Sequence, residues 1–284
     1  MPTTAMPTIA WFGYGNMGRA IARGAIASGS IEPADAIVFE PDVDAAAHAR
    51  GDGIAAVAAA LTDADRPNLR SISRVMLAVK PQSWPTVAAH WRAAALHSAE
   101  SGVLAISVMA GVSSQAIAQA IGPRTRVVRA MPNTPAMVGA GMTAVAAGHD
   151  ATAEDLRVAM SLFGSVGEVV ELPETLLDAA TALSGSGPAY FLLLCEAMAD
   201  AAAQLGISPD VASRMARQTL LGTATMLAFR DNAPVSPTAL RARVTSKGGT
   251  THAAVTAFEA GGFHDLVQRA LTAARDRGRE LGSG

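Results

Sequence analysis

The chain has 284 residues, enough for one large or two medium domains, because single hydrophobic cores rarely grow beyond ~250 residues. Half of the residues are apolar but only 4% are aromatic, so alanine and small aliphatic side chains must build a closely packed core. The formal net charge is −2, with 22 basic and 24 acidic residues interspersed, which provides neither a basic stripe for nucleic acid nor a polybasic patch for a membrane. We therefore expect a small neutral or anionic ligand.

Cysteine and histidine usage argues against disulfides and metal sites. Cys195 is the single cysteine, so no disulfide can form within the chain, and its apolar surroundings predict a core position. The six histidines lack the spacing of zinc ligands, and we expect no metal. Residues 1–8 carry no basic region, and nowhere do ~18 uncharged apolar residues follow one another. These features predict no membrane span and a reducing compartment, most simply the cytoplasm.

The first part of the chain alternates apolar runs with alanine-rich helical stretches. Such alternation is typical of an α/β domain with a parallel sheet covered by helices on both faces, a doubly wound Rossmann-type architecture. A capping box at Thr152 predicts a helix before the last strand. We expect this dinucleotide-binding domain to cover residues 1–172. Its predicted strands are 8–12, 36–39, 73–79, 103–107, 125–129, 143–147 and 168–172.

Strand signals disappear after Leu172, and residues 173–284 predict an all-helical domain. Gly187-Pro188 opens a long helix whose Glu196, Asp200 and Gln204 form one narrow polar stripe, so we expect that helix to be buried on most sides. Ser-Pro pairs at 208–209 and 236–237 begin two further helices, and the last helix runs from about 264 to 281. The apolar faces exceed what this domain needs for its own core, which predicts packing against another subunit.

A glycine-rich turn, Gly13-x-Gly15-x-x-Gly18, directly follows the first strand and opens a helix. In dinucleotide-binding folds the first glycine makes the turn, the second admits the pyrophosphate and the third packs helix on strand. Glu40 ends the second strand, where an acid can accept hydrogen bonds from the ribose hydroxyls. The alternative for Glu40 is a solvated loop acid.

Further loops leave the predicted sheet at its carboxyl edge, where ligands of open α/β folds bind. Lys80 lies in one of them and is expected on the cofactor side, with an ordinary surface lysine as the alternative. Ala110 and Asn133 lie in the exits of later strands and are expected on the same side of the sheet as Lys80. Plain turn chemistry remains the alternative for Asn133.

The segment Val244-Thr-Ser-Lys-Gly-Gly-Thr-Thr251 predicts an anion-binding turn in the helical domain. Consecutive glycines expose backbone N–H groups, and a helix N-terminus favours negative charge. We expect the amides of Gly249, Thr250 and Thr251 to hold a carboxylate, although a Gly-Gly pair before a helix can also be an ordinary loop.

Together, the motifs resemble in order and spacing the pyrroline-5-carboxylate reductases, which reduce a cyclic imine to L-proline. The resemblance implies a cyclic imino acid substrate, NADH or NADPH as cofactor, and a homodimer through the helical domain, possibly within a larger assembly. The blocks that carry it are Gly13–Gly18, Leu77–Gln82, Arg129–Ala136, Leu183–Tyr190 and Val244–Thr251.

The resemblance also assigns roles to individual residues. Thr251 is the catalytic residue, orienting the ring nitrogen through its hydroxyl, and Glu174 meets that nitrogen or orders Thr251. Glu40, with Asp42 beside it, favours NADH because carboxylates repel a 2′-phosphate. Substrate contacts are implied for Glu174, Gly248, Gly249, Thr250 and Thr251. Cofactor contacts are implied for Gly13, Gly15, Asn16, Met17, Gly18, Glu40, Ala78, Val79, Lys80, Pro81, Ala110 and Asn133.

The chain departs from the family pattern in three places. Lys247 replaces a proline, Leu240-Arg-Ala-Arg243 carries basic residues where an acid is common, and residues 53–74 form a longer region without the family's asparagine. Two other functions remain open. A related imine or hydroxyacid reductase would need a lysine or acid in place of the glycine-threonine turn, and a non-catalytic dinucleotide sensor would need no second anion-binding turn.

Overall fold

The computed structural model describes residues 8–62, 71–93, 102–228 and 236–282. It divides into two compact units. The sheet unit holds the described chain up to Ser186 together with the segment from Ala274 onward, and the helical unit is Gly187–Ala273. The domain boundary placed at residue 172 from the sequence differs from this division and stays a prediction.

An eight-stranded sheet forms the centre of the sheet unit, in the order β3-β2-β1-β4-β5-β6-β7-β8. Every strand expected from an apolar run is present, shifted by no more than a few residues. One short strand, β3, was not expected. The strands are β1 (Ile9–Phe12), β2 (Ala36–Phe39), β3 (Ala56–Ala58), β4 (Arg74–Leu77), β5 (Val103–Ser107), β6 (Thr125–Met131), β7 (Gly141–Ala147) and β8 (Gly167–Glu171).

The doubly wound, Rossmann-type sheet expected from the sequence is confirmed, and it contains one antiparallel pair that the sequence did not predict. Strands β1 to β6 are parallel, but β7 runs antiparallel to β6, and β8 is parallel to β7. A parallel return needs a crossover of about a dozen residues or more. The β6–β7 connection is shorter and contains only a 3₁₀ turn, Thr134–Val138, so the chain turns back beside β6.

Helices cover both faces of the sheet, as expected. Along β1, Ile9 and Trp11 face one core and Ala10 and Phe12 face the other, which explains why the strand is apolar at every position. Thr152 and Asp155 form the predicted capping box. The helices of the sheet unit are α1 (Asn16–Ala27), α2 (Val43–Gly51), α3 (Trp84–Ala93), α4 (Ser114–Ile121), α5 (Ala153–Gly164) and α6 (Leu177–Ala180).

The helical unit is built from helices that begin where the sequence predicts. Gly187 and the two Ser-Pro pairs open helices, and the Ser236 hydroxyl accepts a hydrogen bond from the Ala239 N–H at 3.2 Å. The helices are α7 (Gly187–Gln204), α8 (Pro209–Ala228), α9 (Pro237–Arg243), α10 (Thr250–Ala260) and α11 (Phe263–Gly282), of which α11 ends in the sheet unit.

The expectation that α7 is buried on most sides is wrong for the single chain. All residues of α7 are described, and only Gly187 is buried. Phe191, Leu192 and Leu193 are each more than 60% exposed, and Cys195 is half-buried where a core position was expected. One chain lacks the neighbours needed to cover this apolar surface.

No described helix is long and apolar enough to cross a membrane. Nor do the described parts of the chain bring together three His, Cys, Asp or Glu side chains that could hold a metal. Residues 1–7, on which part of the sequence-based localisation rests, lie outside the described residues.

Candidate active site

A cavity with a volume of about 870 Å³ lies at the carboxyl ends of β1, β2 and β4. This dinucleotide crevice is where open α/β sheets bind nucleotides. The sequence-predicted residues that line it are Gly13, Gly15, Asn16, Glu40, Ala78, Val79 and Lys80.

The glycine turn has the geometry that its sequence requires. Gly13 has φ +90°, and a Cβ there would lie 2.6 Å from the Ala78 carbonyl oxygen. A Cβ on Gly15 would meet nothing within 4 Å, so the second glycine faces open space. A Cβ on Gly18 would collide with the Gly13 carbonyl. The first and third glycines therefore permit close packing, while the second leaves room for a phosphate.

Glu40 is 8% exposed, which excludes the solvated loop acid considered from the sequence. Its Oε2 accepts a hydrogen bond from the Tyr14 N–H at 2.6 Å, and its Oε1 accepts one from the Asp42 N–H at 2.9 Å. The carboxylate thus ties the glycine turn to the β2–α2 loop while lining the crevice.

Asp42 occupies the N-terminus of α2. Its Oδ1 accepts a hydrogen bond from the Ala45 N–H at 2.8 Å, so a carboxylate already fills the position where a helix would favour an added anion.

Some predicted cofactor residues do not line the crevice. Met17 packs against the core, Pro81 begins a 3₁₀ turn, and Ala110 packs against the cluster around Met131. Gly18 acts through packing, as described above. Lining residues that the motifs did not single out include Arg19, His48, Thr86 and His90. Their only sequence signal is a position on a helix that follows β1, β2 or β4.

Asn133 is buried, and its amide joins β7 to a π-helical turn. Its Nδ2 donates to the Ser184 carbonyl at 3.0 Å, and its Oδ1 accepts from the Met142 N–H at 2.9 Å. Ser184 lies in a π-helical turn, Thr181–Gly185, directly before the helical unit. These contacts favour the turn alternative for Asn133 over a cofactor contact.

Glu174 is engaged within the sheet unit. Its Oε1 accepts hydrogen bonds from the Ser114 N–H at 2.8 Å and from Arg129 Nη1 at 3.1 Å, and its Oε2 accepts one from the Ser114 hydroxyl at 2.6 Å. Burial alone raises the pKa of the Glu174 carboxyl, but the hydrogen bonds from Ser114 and Arg129 and the charge of Arg129 bring the pKa below its usual value. The structure gives Glu174 these partners, and its substrate role stays a prediction.

The anion-binding turn of the helical unit precedes α10. Gly248 has φ +75°, and Gly249 is the N-cap of α10 with no side chain capping the helix. The Gly249 N–H donates to the Ser246 carbonyl at 3.0 Å, so this amide is engaged, contrary to expectation. The amides of Thr250, Thr251 and His252 form the first turn instead, and all three residues are exposed. This N-terminus can bind a carboxylate.

The basic residues before this turn have a partner in the same unit. Arg241 Nη1 lies 3.0 Å from Glu259 Oε1. The pair joins α9 to α10. Of the region 53–74, whose length differs from the family pattern, residues 63–70 lie outside the described residues.

Comparison with known proteins assigns both halves of the chain. A family model described as pyrroline-5-carboxylate reductase dimerisation matches residues 174–281, and one described as NADP oxidoreductase, coenzyme F420-dependent, matches residues 8–111. A pyrroline-5-carboxylate reductase of Synechocystis sp. is 40% identical over 271 residues, covering 95% of this chain and 96% of the relative. The chain belongs to the pyrroline-5-carboxylate reductase family. It is thus an oxidoreductase, as the motifs indicated.

Solved structures of this family have the same fold. A pyrroline-5-carboxylate reductase from Coxiella burnetii, 35% identical, has a TM-score of 0.83 and covers 97% of this chain and 98% of its own. A pyrroline carboxylate reductase from Plasmodium falciparum with NADP bound, 24% identical, has a TM-score of 0.77 and covers 98% and 99%. At that identity the second likeness supports the fold alone.

Proposed function

We propose that this chain reduces 1-pyrroline-5-carboxylate to L-proline with a reduced nicotinamide dinucleotide. The observation that carries the proposal is the coexistence, in a chain of this family, of a dinucleotide crevice in the sheet unit and a glycine-threonine turn in the helical unit. The reaction needs a hydride donor, an anchor for the carboxylate and a partner for the ring nitrogen.

The crevice fits a nicotinamide dinucleotide. Gly15 leaves open space at the N-terminus of α1, where a pyrophosphate would meet backbone N–H groups, and Gly13 lets the turn lie against Ala78. When bound, the cofactor supplies the hydride. The chain's own residues bind and orient the cofactor, and hydride transfer is the chemistry of the cofactor itself.

The turn before α10 is the proposed substrate anchor. The amides of Thr250 and Thr251, joined by that of His252, bind the carboxylate, and the Thr251 hydroxyl orients the ring nitrogen. A threonine hydroxyl is a poor acid, so Thr251 orients the imine by a hydrogen bond and does not protonate it. The ring nitrogen is instead protonated in solution, before the substrate binds.

We further infer a preference for NADH. Glu40 and Asp42 place carboxylates at the end of β2, and their hydrogen bonds with Tyr14, Asp42 and Ala45 occupy the local backbone amides. A 2′-phosphate there would meet the like charge of two carboxylates. The family model described as an NADP oxidoreductase supports a nicotinamide dinucleotide in general.

Oligomerisation follows from the family's dimerisation region, and we propose that the helical unit forms the contact in a homodimer. The exposed apolar side chains of α7 and α8, including Phe191, Leu193, Met215 and Leu221, support this assignment. We also propose that the dimers form a larger assembly and that the protein is cytoplasmic.

The experiment that separates this function from a dinucleotide sensor is binding of a proline analogue, measured by calorimetry with and without NADH. The reductase should bind the analogue more tightly when the cofactor is present. A sensor should bind NADH and ignore the analogue, and that result would contradict the proposal. A related hydroxyacid reductase would turn over a 2-oxo acid and leave the cyclic imine unchanged.

A further inference from the structure

Arg19 lies where the glycine turn passes into α1, and it lines the dinucleotide crevice beside Asn16. It belongs to the first turn of the helix whose N-terminus faces the pyrophosphate in dinucleotide-binding folds. Its side chain is 32% exposed, so the guanidinium is accessible to a ligand.

Asp52 holds one edge of this guanidinium. Arg19 Nε lies 3.0 Å from Asp52 Oδ2, and the same oxygen accepts a hydrogen bond from the Tyr14 hydroxyl at 3.2 Å. Asp52 is the only partner that the described residues provide for the Arg19 side chain. The terminal nitrogens of the guanidinium therefore keep their donors for another acceptor.

Tyr14 connects this pair to the glycine turn. It stands between Gly13 and Gly15, is 1% exposed, and its N–H donates to Glu40. Burial raises the pKa of the Tyr14 hydroxyl, and the nearby Asp52 carboxylate raises it further, so the hydroxyl keeps its proton and donates to Asp52 at neutral pH. The turn and the Arg19 guanidinium are thus held by one carboxylate.

The charge distribution of the crevice favours a role for Arg19. Glu40, Asp42 and Asp44 line it, and an incoming dinucleotide brings further negative charge. Among the described lining residues, lysine and arginine are represented by Arg19 and Lys80. Lys80 follows β4, whereas Arg19 is on the helix that begins at the glycine turn.

We propose that Arg19 binds the pyrophosphate of the dinucleotide through its terminal guanidinium nitrogens, and that Asp52 and Tyr14 are positioning residues that hold the guanidinium beside the glycine turn. The proposal rests on the nicotinamide cofactor of the proposed function and not on the imine substrate. NADH and NADPH share the pyrophosphate, so Arg19 increases the affinity for both.

Calorimetric titration of NADH and NADPH into the wild-type protein, Arg19→Gln and Arg23→Gln tests this assignment. Arg23 is one helical turn further along, also lies near Asp52 (3.6 Å) and is outside the crevice lining, so it is a matched control for loss of charge. We expect Arg19→Gln to raise both Kd values about tenfold, since a charge-assisted hydrogen bond is lost. Arg23→Gln should change them by less than about twofold, as is usual for exposed pairs.

Asp52→Asn tests the positioning role. It should raise both Kd values while kcat at saturating cofactor stays at the wild-type value, whereas a merely structural role would lower Tm without changing Kd. If Arg19→Gln fails to fold, Arg19→Lys replaces it, because an ammonium lacks the planar fork with which a guanidinium offers one edge to Asp52 and the other to a pyrophosphate.

Three results would overturn the assignment of Arg19: an unchanged NADH Kd in Arg19→Gln or its lysine replacement, equal weakening by Arg23→Gln, or weakening confined to NADPH, which would place Arg19 at the 2′-phosphate. An unchanged Kd with lowered Tm in Asp52→Asn would overturn the positioning role. The titrations contain no imine, so their outcome is independent of whether the chain reduces 1-pyrroline-5-carboxylate.

Discussion

Glu174 accepts two hydrogen bonds from Ser114, one from the backbone N–H at 2.8 Å and one from the hydroxyl at 2.6 Å. Ser114 is the first residue of α4, so the Glu174 carboxylate acts as a resident anion at that helix N-terminus. Arg129, buried on β6, completes the cluster. The contact joins the segment after β8 to the N-terminus of α4.

Replacement of Glu174 by Gln should destabilise the protein by about 2 kcal/mol, because it leaves the buried Arg129 guanidinium without its carboxylate. The measurement is urea unfolding at neutral pH. Glu171→Gln, an exposed site on β8, is the control and should be close to wild type. Equal stability of Glu174→Gln and wild type would show that the cluster contributes nothing.

The same cluster predicts a pH dependence. The folded-state pKa of Glu174 is below its ordinary value of 4.5, so its stabilisation is fully present above that value and is lost as the pH falls through the lower folded-state pKa. The difference in unfolding free energy between wild type and Glu174→Gln should therefore shrink below about pH 4.5. A difference that stays constant down to the acid unfolding transition would contradict this assignment.

Asn133→Ala should lower stability by about 1–2 kcal/mol, because the Ser184 carbonyl and the Met142 N–H both lose their partner. We expect the NADH Kd, measured on the folded variant, to stay within about twofold of wild type, since the amide's observed contacts are within the protein. A higher NADH Kd in Asn133→Ala without loss of stability would instead support the cofactor contact that the sequence suggests for Asn133.

Ala201→Arg or Ala197→Arg should dissociate the oligomer, since both alanines are exposed on α7 in the single chain and an arginine there would disturb a packed interface. Light scattering at micromolar concentration reports the mass. Ala89→Arg on α3 is the matched control and should leave the mass unchanged. A monomeric, fully active wild-type protein would refute dimerisation through the helical unit.

For cofactor choice we expect kcat/KM to favour NADH by roughly five- to thirtyfold, from a repulsion of about 1–2 kcal/mol after screening. Rising ionic strength and Glu40→Ser should both narrow the preference. Asp42→Asn is a sharper test, because asparagine keeps the N-cap of α2 and removes only the charge. Equal values for the two cofactors, or higher values for NADPH, would show that these carboxylates do not face the ribose.

Much of the fold is predictable because local sequence decides it. Strands β1 and β2 are apolar at every position, and the glycine turn and the Thr152 capping box are recognised within a few residues of sequence. The strand β3 is harder to predict because it is a short run of alanine and valine. The direction of β7 is also harder to predict, because it depends on the length of the connection from β6.

The site is less predictable where partners are distant in sequence. Glu174 and Ser114 are 60 residues apart, and Tyr14 and Asp52 are 38 apart, so no local pattern pairs them. The sequence predicts that the helical domain has more apolar surface than its own core needs, but it does not show which faces of α7 its own chain leaves exposed, because an apolar helix has the same sequence pattern whether its own chain or a second copy covers it.

Thr251→Ala should lower kcat/KM about ten- to a hundredfold, because an orienting hydrogen bond made in the transition state contributes ~1–3 kcal/mol. Thr251→Ser keeps the hydroxyl and should restore most of the rate. If folded Thr251→Ala reduced the imine as fast as wild type, Thr251 would have no part in orienting the ring nitrogen.

Steady-state oxidation of NADH and NADPH in the presence of 1-pyrroline-5-carboxylate, with the product identified by NMR, tests the central claim most directly. We expect saturable oxidation with at least one cofactor and one L-proline formed per cofactor oxidised. A folded protein that binds the cofactor in the same buffer, but oxidises neither NADH nor NADPH above the enzyme-free rate, would contradict the assignment of this chain as a pyrroline-5-carboxylate reductase.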